Sequence, residues 1–296
     1  MAASMRTLDF RDHRRELDQN RYVYAVVSRR SRGLSIGINL NPDKVCNFDC
    51  PYCQVDRRTA GGPREVELPR LEAELNHLLH LVGSGQLWEL SPFNTAAPAL
   101  RRVNDIAFAG DGEPTSATVF PEAVSLVGAL RRAHGLESVR VHLLTNATLL
   151  HRPRVREGLR VLDEIGGQIW AKLDAGTEAW FQRVDGTKLP FSRVLQNLLE
   201  AGRARPIVLQ CLFPTWEGEG PDEAEVDAWQ ARIAELLSGG ARVLEVQVYS
   251  VARAPADGRI GVLPASRLEA IAARARALGL HTVVYPGVEP AQEAPP

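Results

Sequence analysis

The 296-residue sequence predicts an α/β fold in which parallel strands alternate with helices. Three observations lead there: short β-branched apolar runs bounded by turn residues, intervening stretches with apolar residues three and four apart, and the regular alternation of the two. Strands are predicted at 22–28, 34–40, 105–109, 139–145, 169–174, 207–213, 243–249 and 282–285. Helical spacing is read from Leu71, Leu75, Leu78, Leu79 and Val82, then from Val194, Leu195, Leu198 and Leu199, and later from Ala228, Ile233, Leu236 and Leu237. Pro121 and Asp222 fall where helices start and Gly279 where one stops. Such alternation requires parallel strands with right-handed crossovers, and an open doubly wound sheet and a complete or partial barrel both satisfy it. The first two strands flank a basic turn, Arg29-Arg30-Ser31-Arg32-Gly33, which reads as a hairpin ahead of the repeats. One enzyme-sized domain over 1–286 is expected, with an extension and hairpin in 1–40, the repeating core over 34–286, a loop over 91–102 and a disordered tail over 287–296.

Apolar residues make up 45% and charged residues 24%, ordinary globular usage that supplies a full core. With 35 basic against 36 acidic residues the net charge is -1, which excludes a global field drawing the protein to nucleic acid or an anionic membrane. The first fifteen residues lack the apolar run of a signal peptide, and no run is long enough to span a bilayer. A cytoplasmic protein without a membrane partner is expected.

Four cysteines are present, three of them as Cys46-x3-Cys50-x2-Cys53 directly after a strand, on a loop with Asn47, Asp49 and Pro51. In a reducing compartment clustered thiols hold metal more often than they form disulfides. The loop lies at the carboxyl end of a parallel strand, where sites are built in barrels and open sheets alike. Three thiolates can hold three irons of a cubane and leave the fourth open. A closed zinc site wants a fourth ligand, and no histidine lies in this loop. Cys46, Cys50 and Cys53 are the candidate metal ligands, and a non-catalytic, metal-stabilised binding module is the competing class.

Cys46-Asn47-Phe48-Asp49-Cys50-Pro51-Tyr52-Cys53 resembles the Cys-x3-Cys-x-aromatic-Cys signature of the radical S-adenosylmethionine (SAM) superfamily, with Tyr52 in the aromatic place. After the next strand, Gly110-Asp111-Gly112-Glu113-Pro114-Thr115 resembles that superfamily's Gly-Gly-Glu-Pro segment. Leu143-Leu144-Thr145-Asn146 and Lys172-Leu173-Asp174-Ala175-Gly176 follow in order. Residues 34–260 are similar to the subgroup of tRNA wyosine-base synthases and their bacterial relatives, chiefly through 35–40, the Gly-Glu-Pro-Thr stretch and Lys-Leu-Asp-Ala-Gly. The resemblance implies a partial (β/α)6 TIM-type barrel, in agreement with the repeat count. It also implies one [4Fe-4S] cluster on the three cysteines and reductive cleavage of SAM to a 5′-deoxyadenosyl radical that abstracts hydrogen.

By resemblance, Gly110, Asp111, Gly112, Glu113 and Pro114 receive the amino group of SAM, and Tyr52 contacts adenine. Asn146 is a partner for ribose or carboxylate, Lys172 for the methionine carboxylate and Asp174 for ribose. An electron donor such as flavodoxin or ferredoxin is implied. The wyosine synthases carry further cysteines ahead of the signature, and residues 1–45 contain none. The substrate therefore stays open between a guanosine base in tRNA or other RNA, a small molecule and a protein.

The residues themselves allow plainer readings. Gly110 to Pro114 reads as a turn and Asn146 as a helix cap or turn residue. Lys172 and Asp174, two apart on a strand, share a face and can form a buried ion pair. Of the neighbours Gln210 and Cys211 only one can face inward, and Cys211 is most simply core. His77, His80, His134 and His151 form no ligand-like constellation. Arg29–Arg32 with Arg101, Arg102, Arg131 and Arg132 is a candidate phosphate-binding surface, against the plainer reading of solvated faces.

Overall fold

The apolar runs form strands and the three- and four-spaced stretches form helices in the computed structural model, which describes residues 17, 20–28, 33–253, 255 and 257–287. The basic turn 29–32, the first sixteen residues and the tail 288–296 lie outside the described residues. Two compact units can be distinguished. The first holds the described residues up to Cys46 with Ala60–Leu144 and Arg152–Gln168; the second holds Asn47–Thr59, Thr145–His151 and the described residues from Ile169 onward.

In the first unit, β1 (Val23–Ser28) runs antiparallel to β2 (Gly33–Ile38), with Val23 opposite Ile38 and Ser28 opposite Gly33. Parallel pairing continues from β2 to β3 (Val103–Phe108) and from β3 to β4 (Arg140–Thr145). Helices α1 (Leu68–Gly83), α2 (Phe120–Ala133) and α3 (Pro153–Glu164) follow β2, β3 and β4 in turn. The stripe Leu71, Leu75, Leu78 and Leu79 of α1 is buried, as its spacing requires. Pro121 sits in the first turn of α2, where its missing N–H costs nothing.

The segment expected as a plain loop, 91–102, instead contains short 3-10 turns at Phe93–Thr95 and Pro98–Leu100, with Phe93 buried. Arg131 does not join a phosphate-binding surface, and Arg101 is tied to its own turn. Arg131 is buried and donates to the carbonyls of Val139 (2.9 Å) and Ile165 (2.6 Å), while Arg101 donates to those of Ala96 (3.0 Å) and Asn94 (2.8 Å). These arginines close turns.

The second unit contains β5 (Gln168–Lys172), β6 (Ile207–Leu212), β8 (Val243–Tyr249) and β10 (Thr282–Tyr285), each parallel to the next. Between β5 and β6 lie α4 (Glu178–Val184) and α5 (Phe191–Ala204); α6 (Glu223–Ser238) precedes β8 and α7 (Ala265–Arg276) precedes β10. A separate antiparallel pair joins β7 (Pro214–Trp216) to β9 (Ile260–Val262). Three-residue strands are too short to show a period, and β7 begins with proline, so the sequence gives them no signal. The α/β class, the hairpin and the six strand-to-helix units expected of a partial (β/α)6 barrel are present.

Register decides the faces. Lys172 pairs with Gln210 and Gln210 with Gln247, so the three side chains share one face. The alternate residues Ala171, Leu209 and Val246 share the other. There the Trp229 indole of α6 donates to the carbonyl of Leu173 at 3.1 Å and meets Phe213 edge-on at 5.3 Å between centroids. Cys211 belongs to this helix-covered side, fully buried, and burial pushes its thiol up. Gln210 takes the face of Lys172.

One buried carboxylate starts the hairpin. Glu74 of α1, 8% exposed, accepts the backbone N–H groups of Arg21 (2.9 Å), Tyr22 (2.8 Å) and Val23 (3.1 Å), and Arg70 Nε donates to it at 2.8 Å. In Glu74→Ala three backbone donors lose their acceptor, which should cost about 2–4 kcal/mol. Urea unfolding should show the midpoint falling with the slope unchanged. A loss below about 0.5 kcal/mol would show that water replaces the carboxylate.

Candidate functional site

In the first unit the chain leaves β2 at Asn39, whose carboxamide organises the Gly-Asp-Gly-Glu-Pro segment. Asn39 Nδ2 donates to Asp111 Oδ2 at 2.7 Å, and Asn39 Oδ1 accepts the backbone N–H of Asp111 and of Asn41, each at 3.1 Å. Asn41 Nδ2 donates to Ser116 Oγ at 2.9 Å. Both glycines are needed for closeness: a Cβ at Gly110 would stand 2.4 Å from Asn39 Oδ1, and one at Gly112 would stand 2.3 Å from the Val45 carbonyl. Glu113 is buried and its Oε1 accepts from Thr115 N (3.2 Å) and Thr115 Oγ1 (2.5 Å), capping the short Pro114–Ser116 turn. Cys46 ends the first segment of this unit and is partly exposed.

In the second unit the loop carrying Cys50, Tyr52 and Cys53 is tied to the ends of several elements. Tyr52 is buried; its O–H donates to Asp174 Oδ2 at 2.5 Å, and Asp185 Oδ1 lies 3.1 Å from the same oxygen. The Lys172 ammonium donates to Tyr52 Oη, stands 4.5 Å from the ring centroid, and pairs with Asp174 (3.1 Å) and Asp185 (3.5 Å). Cys50 Sγ is 3.8 Å from Lys172 Nζ and 3.7 Å from Asp185 Oδ1. Asp174 Oδ1 accepts the N–H of Leu212 at 2.8 Å, which locks the end of β5 to β6.

The turn after Asp174 is held from α6. Asp222 caps that helix by accepting the N–H of Glu225 at 2.8 Å, and Asp222-x-x-Glu225 reads as a capping box. The Glu225 carboxylate nevertheless reaches outward, to Gly176 N (2.5 Å) and Thr177 Oγ1 (2.6 Å). Asn146 lies at the base of the cysteine loop, where its Nδ2 donates to Asn47 Oδ1 at 2.7 Å and its Oδ1 accepts from Thr148 Oγ1 at 2.7 Å. That is the geometry of a turn and not of a helix cap, since α3 begins only at Pro153.

Burial pushes the Cys50 thiol and the Tyr52 phenol up. Asp185 is pushed up to about 7 by burial, against the pull of Lys172. Burial would lower Lys172, but the combined charges of Asp174, Cys50 and Asp185 raise it well above its ordinary value. Lys172 is the cation of the cluster.

The donor set suits an iron–sulfur cluster. None of the three loop cysteines is in a disulfide, each is partly exposed, and cations face two of them: Lys172 at Cys50, and Arg57, whose Nη1 donates to Cys53 Sγ at 3.2 Å. Cubane ligation spreads three thiolates over three irons. Among the described residues no three His, Cys, Asp or Glu side chains gather as a single ion requires.

Of the residues singled out in the sequence, the second unit brings together Cys50, Tyr52, Lys172 and Asp174, with Cys53 on the same loop. The first unit groups Gly110 to Glu113 around Asn39. Asp185, Gly186, Asn47 and Glu225 were not foreseen in these roles. Asp185-Gly186 is a turn pair in the sequence, but nothing local marks its carboxylate as a partner of Tyr52.

No protein-family model matches the chain. It is similar to a UPF0026 protein of Helicobacter pylori, 26% identical over 179 residues covering 60% of this chain and 49% of the relative. It is similar to the UPF0026 protein slr1464 of Synechocystis, 28% identical over 165 residues covering 55% and 52%. The chain thus spans about half the length of these relatives. The solved structure of TYW1 with a lysine–pyruvate adduct bound aligns over 82% of this chain and 72% of that one, at 16% identity and a TM-score of 0.47. That likeness identifies neither an activity nor a substrate. Among the described residues no helix is long and apolar enough to cross a membrane.

The clamp on the loop is testable at Gly186. Its φ is +58°, and a Cβ there would stand 2.0 Å from the Asp49 carbonyl, which belongs to the cysteine loop. In Gly186→Ala the left-handed backbone costs about 1–2 kcal/mol, and the overlap forces Asp49 to move. Urea unfolding should show at least this loss, and iodoacetamide should alkylate Cys50 and Cys53 faster in the metal-free protein. Unchanged alkylation would show that the loop is held elsewhere.

Proposed function

We propose that the chain is a radical SAM enzyme that binds one [4Fe-4S] cluster through Cys46, Cys50 and Cys53. What carries this reading is the loop Cys-x3-Cys-x-Tyr-Cys after β2, whose Tyr52 is bonded to Lys172 and Asp174 of the Lys-Leu-Asp-Ala-Gly segment after β5. Two segments that the resemblance assigns to one chemistry meet in the second unit. A cluster held by these cysteines would, together with SAM, supply one-electron reductive chemistry for hydrogen abstraction.

The chain's own residues bind and orient. Lys172 keeps positive charge beside Cys50, which favours thiolate ligation, and metal binding releases the thiol proton. Tyr52, fixed by Asp174, aligns the loop between the second and third cysteines. Gly110 and Gly112, lacking Cβ atoms, let the strand end after β3 pass close to Asn39 and Val45. The residues assigned to SAM are divided between the units: Gly110 to Pro114 in the first, and Tyr52, Asn146, Lys172 and Asp174 in the second.

A second cubane normally needs three or four more thiolates. Only Cys211 remains in this chain, buried on the helix-covered side of β6. On this count we assign the chain one cluster, and the hydrogen-donating substrate stays unnamed.

Anaerobic reconstitution with iron and sulfide should give a brown protein with about four irons per chain that forms 5′-deoxyadenosine from SAM and dithionite. Cys50→Ala should lose both properties, and Cys211→Ala should keep both. A colourless protein, or a loaded one that makes no 5′-deoxyadenosine, would overturn the reading. Iron near about eight per chain would reveal a second cluster.

A further inference from the structure

The second unit carries an open cavity of about 590 Å³ beside Cys50 and Cys53, and its chemistry is not that of the cysteines. Its walls include Arg57, Arg58, Arg183, Arg259 and Trp216. Two guanidiniums lie over the Trp216 ring, Arg183 at 4.6 Å and Arg259 at 4.5 Å from its centroid. Arg259 is already engaged, donating to both carboxylate oxygens of Asp257, and Arg58 pairs with Asp56 at 3.3 Å. Arg183 differs. Among the described residues it makes no ion pair and no side-chain hydrogen bond; its charge meets only the rings of Trp216 and, at 5.9 Å, Trp180.

A guanidinium stacked on an indole has its plane fixed by the ring and its N–H donors directed from its edge. Without a carboxylate at that edge, the fork is pre-organised for an oxyanion, bound by two parallel hydrogen bonds. The other arginines on the walls offer additional donors, which the unesterified oxygens of a phosphate, in a monoester or a diester, can share with Arg183. Asp49 adds a negative charge to the same walls, so binding depends on contact with Arg183 more than on a diffuse field.

We propose that this cavity is a phosphate-binding subsite, with Arg183 as its principal donor, and that it seats a phosphate group of the substrate. The assignment of that phosphate to the substrate rests on the radical SAM reading; the binding itself does not. The phosphate is either an ester on a small molecule or a link in a polynucleotide backbone.

The test is isothermal titration of the metal-free full chain with ribose 5-phosphate, ribose, a single-stranded oligouridylate and SAM. Ribose 5-phosphate or the oligouridylate should bind where ribose does not, and the stronger of the two identifies the source. Arg183→Gln should weaken that binding about tenfold or more, the loss of one charge-assisted fork, at an unchanged unfolding midpoint. Arg183→Lys should restore only part of it, and Trp216→Phe, which keeps a ring under the guanidinium, most of it. Equal affinity for ribose and ribose 5-phosphate with no binding of the oligouridylate would overturn the proposal. So would an Arg183→Gln effect on SAM alone. Because no cluster or turnover is involved, failure of SAM cleavage leaves this result standing, and the reverse holds.

Discussion

The cysteine loop of the second unit is held by a buried charge group that depends on the ammonium of Lys172. Asp174 and Asp185 are both buried, and each carboxylate taken out of water alone would carry a penalty of several kcal/mol. Lys172 lies 3.1 and 3.5 Å from them, and the Tyr52 hydroxyl is hydrogen-bonded within the same group. From that point the constraints spread outward. Asp174 locks Leu212 of β6, Asp185 precedes the left-handed Gly186 that accommodates Asp49, and Glu225 fixes the turn after Asp174. Removing the cation would leave two carboxylates near one another with nothing to balance them.

Stability alone does not call for such a group, since apolar side chains of similar volume fill an interior at lower cost. Its placement next to Cys50 is what connects it to chemistry. The cysteine loop carries little regular structure of its own, since 41–67 contains neither helix nor strand. Polar ties to rigid strand ends provide the order that the backbone lacks. The first unit follows the same logic with neutral groups, where Asn39 bonds both the backbone and the side chain of Asp111.

Among the described residues the eight strands of four residues or more were legible in the sequence because each is a β-branched apolar run or an alternation of apolar and polar residues, and the three cysteines and the Lys-Leu-Asp-Ala-Gly segment were legible because each lies within one short stretch of chain. Period also settled Lys172 and Asp174 as residues of one face, although it did not show that they pair. Asp185, Glu225 and Arg183 were not legible. Asp185 meets Tyr52 across 133 positions, a distance set by the fold and not by any local pattern. Glu225 carried the wrong signal, because its place three residues after Asp222 is that of a capping box, whereas its carboxylate serves another element. The adjacent arginine pairs that drew notice include Arg131, which closes backbone turns, while those lining the cavity come from separate parts of the chain.

The use of lysine and arginine follows from this geometry. Only three of the 35 basic residues are lysines, so lysine at 172 runs against the composition of the chain. An ammonium is a compact point charge with three donors directed apart, and at 172 it serves Asp174, Asp185 and Tyr52 in different directions at once. A guanidinium is broader and planar, and its donors lie in one plane. Arginine suits Arg183, which needs a flat face for Trp216 and an edge for an anion. Exchange of the two residue types would preserve the net charge and remove both arrangements, because the one depends on convergence around a point and the other on a plane.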